Sequence, residues 1–176
     1  GYQAHANVLE RLGHDVVFVR DADRLLHLDG LVLPGGESST QLRLIDRNHL
    51  WQALDDFVRA GHPTLATCAG LILAAAVVKH PAQRSFGWLD VAVARNGWGR
   101  QLDSFEATLD DEPFGPMPLI FIRAPRIVDV GDEVKVLATF QGEPVAVQQK
   151  NVVGTSFHPE LTQDMSLHAL VFADAR

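Results

Sequence analysis

The stretch "TLATCAGLIL", Thr64–Leu73, sets a short apolar run before Cys68 and a longer one after it. A run of strand length, a break of small residues and an apolar run of helical length is the strand–turn–helix unit of an α/β fold. The pattern predicts a buried strand over "PTLAT", 63–67, and a helix from Ala69 to Val78. Cys68 falls on the turn between them, flanked by Ala66, Ala69 and Gly70. Small neighbours are what a crowded turn needs if it is to hold a nucleophile out. There the first N–H groups of the helix face a developing oxyanion, and the positive end of the helix dipole favours a thiolate. Taken alone, the stretch fits a packed structural cysteine better.

Outward from this unit, apolar runs alternate with amphipathic segments through the first half of the chain. A helix with Val8, Leu9 and Leu12 on the face of Ala4 or His5 stops at Gly13. "DVVFVR", Asp15–Arg20, and "GLVLP", Gly30–Pro34, have strand composition. A helix begins at Ser38, Ser39 or Thr40, and a second, closed by Gly61, carries Trp51, Leu54, Phe57 and Val58 on one face. The second half holds short strand-like segments: "WLDVAVA", "SFEATL", "PLIFIRA", "EVKVLATF", "PVAVQQ" and "VVGTSF". A terminal helix over "LHALVFADA" follows. The expectation is one α/β domain over residues 1–176, with a mostly parallel central sheet.

Composition narrows the functions open to such a domain. The chain has 176 residues, 47% hydrophobic and 21% charged, with 15 basic and 22 acidic side chains and a net charge of −7. The basic residues are scattered, which argues against nucleic acid as a partner. The longest apolar stretch, Cys68 to Val78, is about half of the roughly 20 residues a membrane span requires. With one cysteine no disulfide forms within the chain, and a reducing, cytoplasmic compartment is expected.

Two further motifs bear on Cys68. In "GTSFHPEL", Gly154–Leu161, His158 and Glu160 are two apart, so an extended segment projects them to one side, and Pro159 disfavours helix. A thiol nucleophile needs such a base, and the base an orienting acceptor, giving Cys68, His158 and Glu160 as a candidate triad. In "LPGGESST", Leu33–Thr40, two glycines after a buried strand allow close backbone approach to a ligand. The Gly36 N–H, Glu37 and Ser38 stand at the same rim. A strand-to-helix loop with a serine cap is the plainer reading of that motif, and it is no phosphate loop, since no Gly-Lys-Ser/Thr follows.

Together with "TCAGLI", "RNGWGRQLDSFE" (95–106) and "FIRAP" (121–125), these motifs resemble, in order and approximate spacing, the glutaminase subunit of pyridoxal 5′-phosphate synthase, a class I, triad-type glutamine amidotransferase. "GRQLDSFE" and "FIRAP" mark that branch, and the resemblance covers nearly the whole chain. It implies a three-layer, flavodoxin-like α/β fold, with helices on both faces of the sheet and extra short strands in the second half. It implies Cys68 as nucleophile, His158 as base and Glu160 as its orienter. Gly36, Glu37, Ser38, Arg95, Ile122 and Arg123 match the glutamine-contacting positions. The expected reaction is hydrolysis of L-glutamine to L-glutamate and ammonia through a cysteine thioester, with Gly36 and Ala69 N–H groups holding the oxyanion. No cofactor or metal is implied. The expected partner is a barrel-shaped synthase subunit that builds the ammonia into pyridoxal phosphate.

The sequence departs from that pattern in places. Ala66 stands where glycine is usual, and Gly97-Trp98 where a small polar residue and Phe or Tyr are expected. A short buried strand and a Gln-Gly turn are expected before the first helix, whereas the chain opens at "GYQAH". Other readings are a triad glutaminase serving another synthase, a non-catalytic docking protein, and a cysteine hydrolase of similar fold. The first is opposed by "FIRAP" and "GRQLDSFE"; in the last, "GGES" has no evident use.

Overall fold

The structure, a computed structural model, describes residues 1–95, 97, 104–109 and 115–175. Three short strands with buried side chains form the parallel centre: β1 (Leu31–Leu33), β2 (Thr64–Thr67) and β10 (Val152–Thr155). β2 lies between the other two, with Leu65 opposite Val32 on one side and Val153 on the other. β9 (Glu143–Gln149) and β8 (Lys135–Phe140) extend this sheet in antiparallel sense, giving the order β1-β2-β10-β9-β8. A second sheet runs β3-β4-β7, from Ala75–Lys79, Leu89–Ala94 and Arg126–Val130, and β5 (Ser104–Leu109) pairs with β6 (Met117–Ile122) as a hairpin.

The alternation of side chains along the central strands builds two cores, one on each face. Ala66, Val147 and Val152 join Leu54 and Phe57 of α3 (Trp51–Arg59), Ile45 of α2 (Ser38–Arg47), and Leu71 and Leu73 of α4 (Ala69–Ala74). Leu65, Ala146 and Val153 turn the other way, toward Phe121 of the hairpin and Leu167 and Phe172 of α5 (Ser166–Phe172). Leu9 of α1 (Tyr2–Arg11) packs on that second core. This is the expected three-layer α/β arrangement.

Three local expectations are corrected. The helix after Cys68 ends at Ala74, not Val78: Val77 and Val78 pair with Ala92 and Val93 of β4, an exchange that suits β-branched side chains. Asp15–Arg20 is not a strand, although its composition asks for one. A cavity of about 730 Å³ is lined by Val16–Val19 and by Leu31–Leu33, and the segment pairs with no strand of the central sheet. The strand β7 has no counterpart among the expected segments, because "RIVDV" is too short and too exposed to show alternation. Among the described residues no helix is long and apolar enough to cross a membrane.

Candidate active site

The carboxyl ends of β1, β2 and β10 converge, the place where parallel α/β sheets hold ligands. β2 delivers Cys68, with φ 50° and ψ −103°, a left-handed backbone that a non-glycine residue adopts only when its surroundings impose it. Those surroundings are visible. The Cys68 N–H donates to the Thr155 carbonyl at the end of β10 (2.8 Å), and the Cys68 carbonyl accepts from the Ile72 N–H in α4 (3.2 Å). An added Cβ at Gly70 would lie 1.9 Å from the Leu33 carbonyl oxygen, so only glycine lets α4 sit this close to β1. The turn has the crowded, positive-φ form of a nucleophile elbow.

β10 delivers the second group. His158 and Glu160 are both buried, and His158 Nδ1 lies 2.7 Å from Glu160 Oε1. The His158 N–H donates to the Ile120 carbonyl of β6 (2.8 Å), which fastens this segment to the hairpin. Burial works against charge on the imidazole, but the hydrogen bonds and charges of Cys68 and Glu160 outweigh it and push the pKa up to about 9. For Glu160 burial again opposes charge, and the His158 hydrogen bond and charge hold the carboxyl below its ordinary range. The imidazole therefore carries its proton at neutral pH, between the Cys68 sulfur and the Glu160 carboxylate. Cys68, His158 and Glu160 come together as the sequence predicts.

The β1 loop closes over the pair. At Gly35 an added Cβ would stand 2.4 Å from His158 Cε1 and 3.5 Å from Cys68 Cβ, which places the loop against both groups. Gly36 follows with φ 144°. Among the described residues the Gly36 N–H makes no backbone hydrogen bond, and the Ala69 N–H is a free donor of the first turn of α4. Gln41 Nε2 donates to the carbonyls of Pro34 (2.9 Å) and Gly35 (3.3 Å) and so pins the loop to α2.

Glu37, Ser38 and Arg95 lie at the rim in roles the sequence does not disclose. Glu37 is the N-cap of α2, accepting from the N–H groups of Ser39 (3.0 Å) and Thr40 (2.7 Å). Hydrogen bonds from Thr40 and Ser39 pull its carboxyl down to about 2. The Arg95 guanidinium reaches the same carboxylate at 3.3 Å and Ser39 Oγ at 3.3 Å. The Ser38 hydroxyl is buried and donates to Gln83 Oε1 (3.0 Å). From the hairpin, the Ile122 carbonyl lies 3.9 Å from Cys68 Sγ, and Arg123 follows, exposed, at φ 43°. Most of "RNGWGRQLDSFE", with Trp98 in it, lies outside the described residues.

Sequence reasoning misses His5, which lies 3.4 Å from Glu160, and Thr67 and His168, which bond to His5. A histidine on the apolar face of a predicted helix is the available signal, and it reads equally as packing. Among the described residues no cluster of His, Cys, Asp and Glu is placed to hold a metal.

Known proteins carry the same architecture. The profile of the SNO glutamine amidotransferase family matches residues 1–174. The "Pyridoxal 5'-phosphate synthase subunit PdxT" of Koribacter versatilis is 48% identical over 170 residues, covering 96% of this chain and 88% of that protein. The protein of the same description from Kosmotoga olearia is 44% identical over 169 residues, covering 94% and 88%. A crystal structure described as a glutamine amidotransferase superposes with a TM-score of 0.92 at 38% identity, covering 98% of this chain and 93% of that one. A putative GMP synthase component from Thermoplasma acidophilum, at 18% identity and TM-score 0.61, covers 89% and 77% and shares the fold.

Proposed function

The chain belongs to the SNO glutamine amidotransferase family, and on that premise we propose that Cys68, His158 and Glu160 are the groups with which it hydrolyses glutamine. It is the glutaminase subunit of a pyridoxal 5′-phosphate synthase, using glutamine and working with a synthase subunit. The observation that carries the residue assignment is the His158–Glu160 pair at 2.7 Å closing on a cysteine at φ 50°.

In the reaction, Cys68 sulfur attacks the side-chain amide carbon of glutamine and the C–S bond forms. The carbonyl oxygen takes the negative charge, received by the N–H groups of Gly36 and Ala69. His158, holding a proton at neutral pH, passes it to the departing nitrogen as the C–N bond breaks, and ammonia leaves. A water then gives a proton to the now neutral ring and attacks the thioester. Glutamate departs, and the thiolate and imidazolium are restored.

The amino-acid end of the substrate meets the rim. Arg95 pairs with the α-carboxylate through guanidinium nitrogens not held by Glu37, since a guanidinium has five N–H donors. Glu37 keeps free lone pairs for the ammonium while capping α2, and Gly36, Ser38, Ile122 and Arg123 frame the amide through their backbone. We place the protein in the reducing cytoplasm, which keeps a lone thiol active. Its ammonia goes to a barrel-shaped partner without release.

The test is glutamate release from glutamine by the chain together with its synthase subunit, for wild type and Cys68→Ala. Release by the wild type and none by Cys68→Ala is expected. Equal release by both overturns the assignment of the nucleophile.

A further inference from the structure

Beyond Glu160 lies a second set of buried polar side chains that the reaction just described does not use. His5 of α1 and His168 of α5 are 2% and 0% exposed. His5 Nδ1 lies 2.9 Å from His168 Nε2. His5 Nε2 lies 3.1 Å from the hydroxyl of Thr67, the residue before Cys68, and 3.4 Å from Glu160 Oε2. Glu160 Oε1 is taken by His158, whereas Oε2 is buried with no hydrogen bond among the described residues. The free oxygen of the carboxylate that orients His158 therefore faces one nitrogen of a histidine, itself backed by another.

Chemistry selects the proton positions. A carboxylate only accepts, so a lone pair on His5 Nε2 would repel it, and an N–H there is favoured. His5 Nδ1 is then an acceptor for His168 Nε2–H. That leaves His168 Nδ1 as a bare lone pair, and among the described residues this atom is buried without a partner. A bare acceptor is a lesser fault than a bare N–H. Burial pushes both pKa values down to about 4, against the pull of Glu160, so both rings are neutral at physiological pH. Packing α1 and α5 on β2 does not require two imidazoles; apolar side chains would fill the space without their desolvation cost. What imidazoles add is a directed donor beside a buried carboxylate.

We propose that His5 and His168 are positioning residues of the glutaminase reaction: the pair sets His5 Nε2–H on the Thr67 hydroxyl (3.1 Å) with its polar edge 3.4 Å from the free oxygen of Glu160, which favours the ionised carboxylate and leaves its other oxygen on His158. The inference rests on the reading that His158 and Glu160 serve Cys68. It makes α1 and α5 part of the catalytic apparatus, through a chain of contacts His168–His5–Glu160–His158.

The experiment compares His5→Leu, His168→Leu and His5→Gln in the complex with the synthase subunit, glutamine being the substrate. Glutamine carries an N–H donor near the place of Nε2; leucine carries none. For His5→Leu, kcat should fall about 10- to 100-fold, as for residues that orient a histidine through its partner, with KM for glutamine unmoved. His168→Leu should fall less, and His5→Gln should recover most of the rate. The low-field proton resonance of the His158 Nδ1–H bond to Glu160 should be present in wild type and His5→Gln and lost or shifted in His5→Leu. An unchanged kcat and resonance in His5→Leu, or a change confined to KM, overturns the proposal. If His5→Leu does not fold, His168→Leu and His5→Gln decide by the same two readouts: a rate and resonance unmoved in His168→Leu, or a rate in His5→Gln as low as a background reaction, overturns it. Should the wild type release no glutamate, the glutaminase reading fails, while the resonance still tests the positioning of Glu160.

Discussion

Replacing Gly35 with alanine tests how closely the β1 loop is fitted to His158, the proposed base. The added Cβ would lie 2.4 Å from Cε1 and 3.0 Å from Nδ1 of His158, and 3.5 Å from Cβ of Cys68. Carbon atoms settle at about 3.5–4.0 Å, so ring and loop must part by about 1 Å. Gly35 is not among the residues at positive φ, so alanine brings no left-handed strain and the effect is that of the methyl group alone. The ring cannot move freely, because Nδ1 is held at 2.7 Å by Glu160. If the loop moves instead, Gly36 N–H leaves its proposed place at the oxyanion. Either displacement costs about 100-fold in kcat, or about 2.7 kcal/mol of barrier. The assay is steady-state glutamate release with the synthase subunit, with a melting curve of the same preparation. A Gly35→Ala protein that melts like wild type and keeps its kcat would refute this account of the loop.

Three other perturbations have defined outcomes. Gly70→Ala sets a methyl group 1.9 Å from the Leu33 carbonyl oxygen, and should destabilise the chain by several kcal/mol, about 4 or more; a denaturant midpoint equal to that of wild type would contradict it. Glu37→Ala removes the cap of α2 and the partner of Arg95, so the melting temperature should drop by about 2–4 °C and KM for glutamine should rise; an unmoved KM would show that the rim does not hold the substrate. Stability should peak near pH 6.5. Below it, the unfolded chain protonates His5 and His168, whose folded values are pushed from 6.5 to about 4 by burial, so stability falls as pH drops through that window. Above it, the contribution of His158, raised from 6.5 to about 9, is progressively lost. A melting temperature that is level from pH 6.5 down to 4.5 would speak against buried neutral imidazoles.

What is legible in the sequence follows from where each residue's energetics are decided. β2 and β10 are buried on both faces and β1 on one, with Val32 half-buried on the other, so "LVL", "TLAT" and "VVGT" announce themselves locally. The meeting of Cys68, His158 and Glu160, the proposed triad, is legible because a nucleophile needs a base and the base an orienter, a demand of chemistry that survives any detail of packing. The end of α4 is not, since Ala75–Lys79 becomes strand through its pairing with β4, a contact distant in sequence. Asp15–Arg20 shows the converse: strand composition without a paired neighbour gives no strand. Glu37 reads in the sequence as a ligand group, and its capping of α2 depends on where the helix starts, which the three candidate residues Ser38, Ser39 and Thr40 leave open. His5 and His168 stand near opposite ends of the chain, and only the fold brings them to each other and His5 to Glu160.

The central claim is that glutamine is cleaved through a thioester on Cys68. The direct measurement is an acid quench of the chain turning over glutamine with its synthase subunit, followed by the mass of the peptide carrying Cys68. A γ-glutamyl adduct on that peptide, absent after alkylation of the thiol and absent in Cys68→Ala, is the predicted result. Glutamate formed at the wild-type rate by the alkylated protein would contradict it.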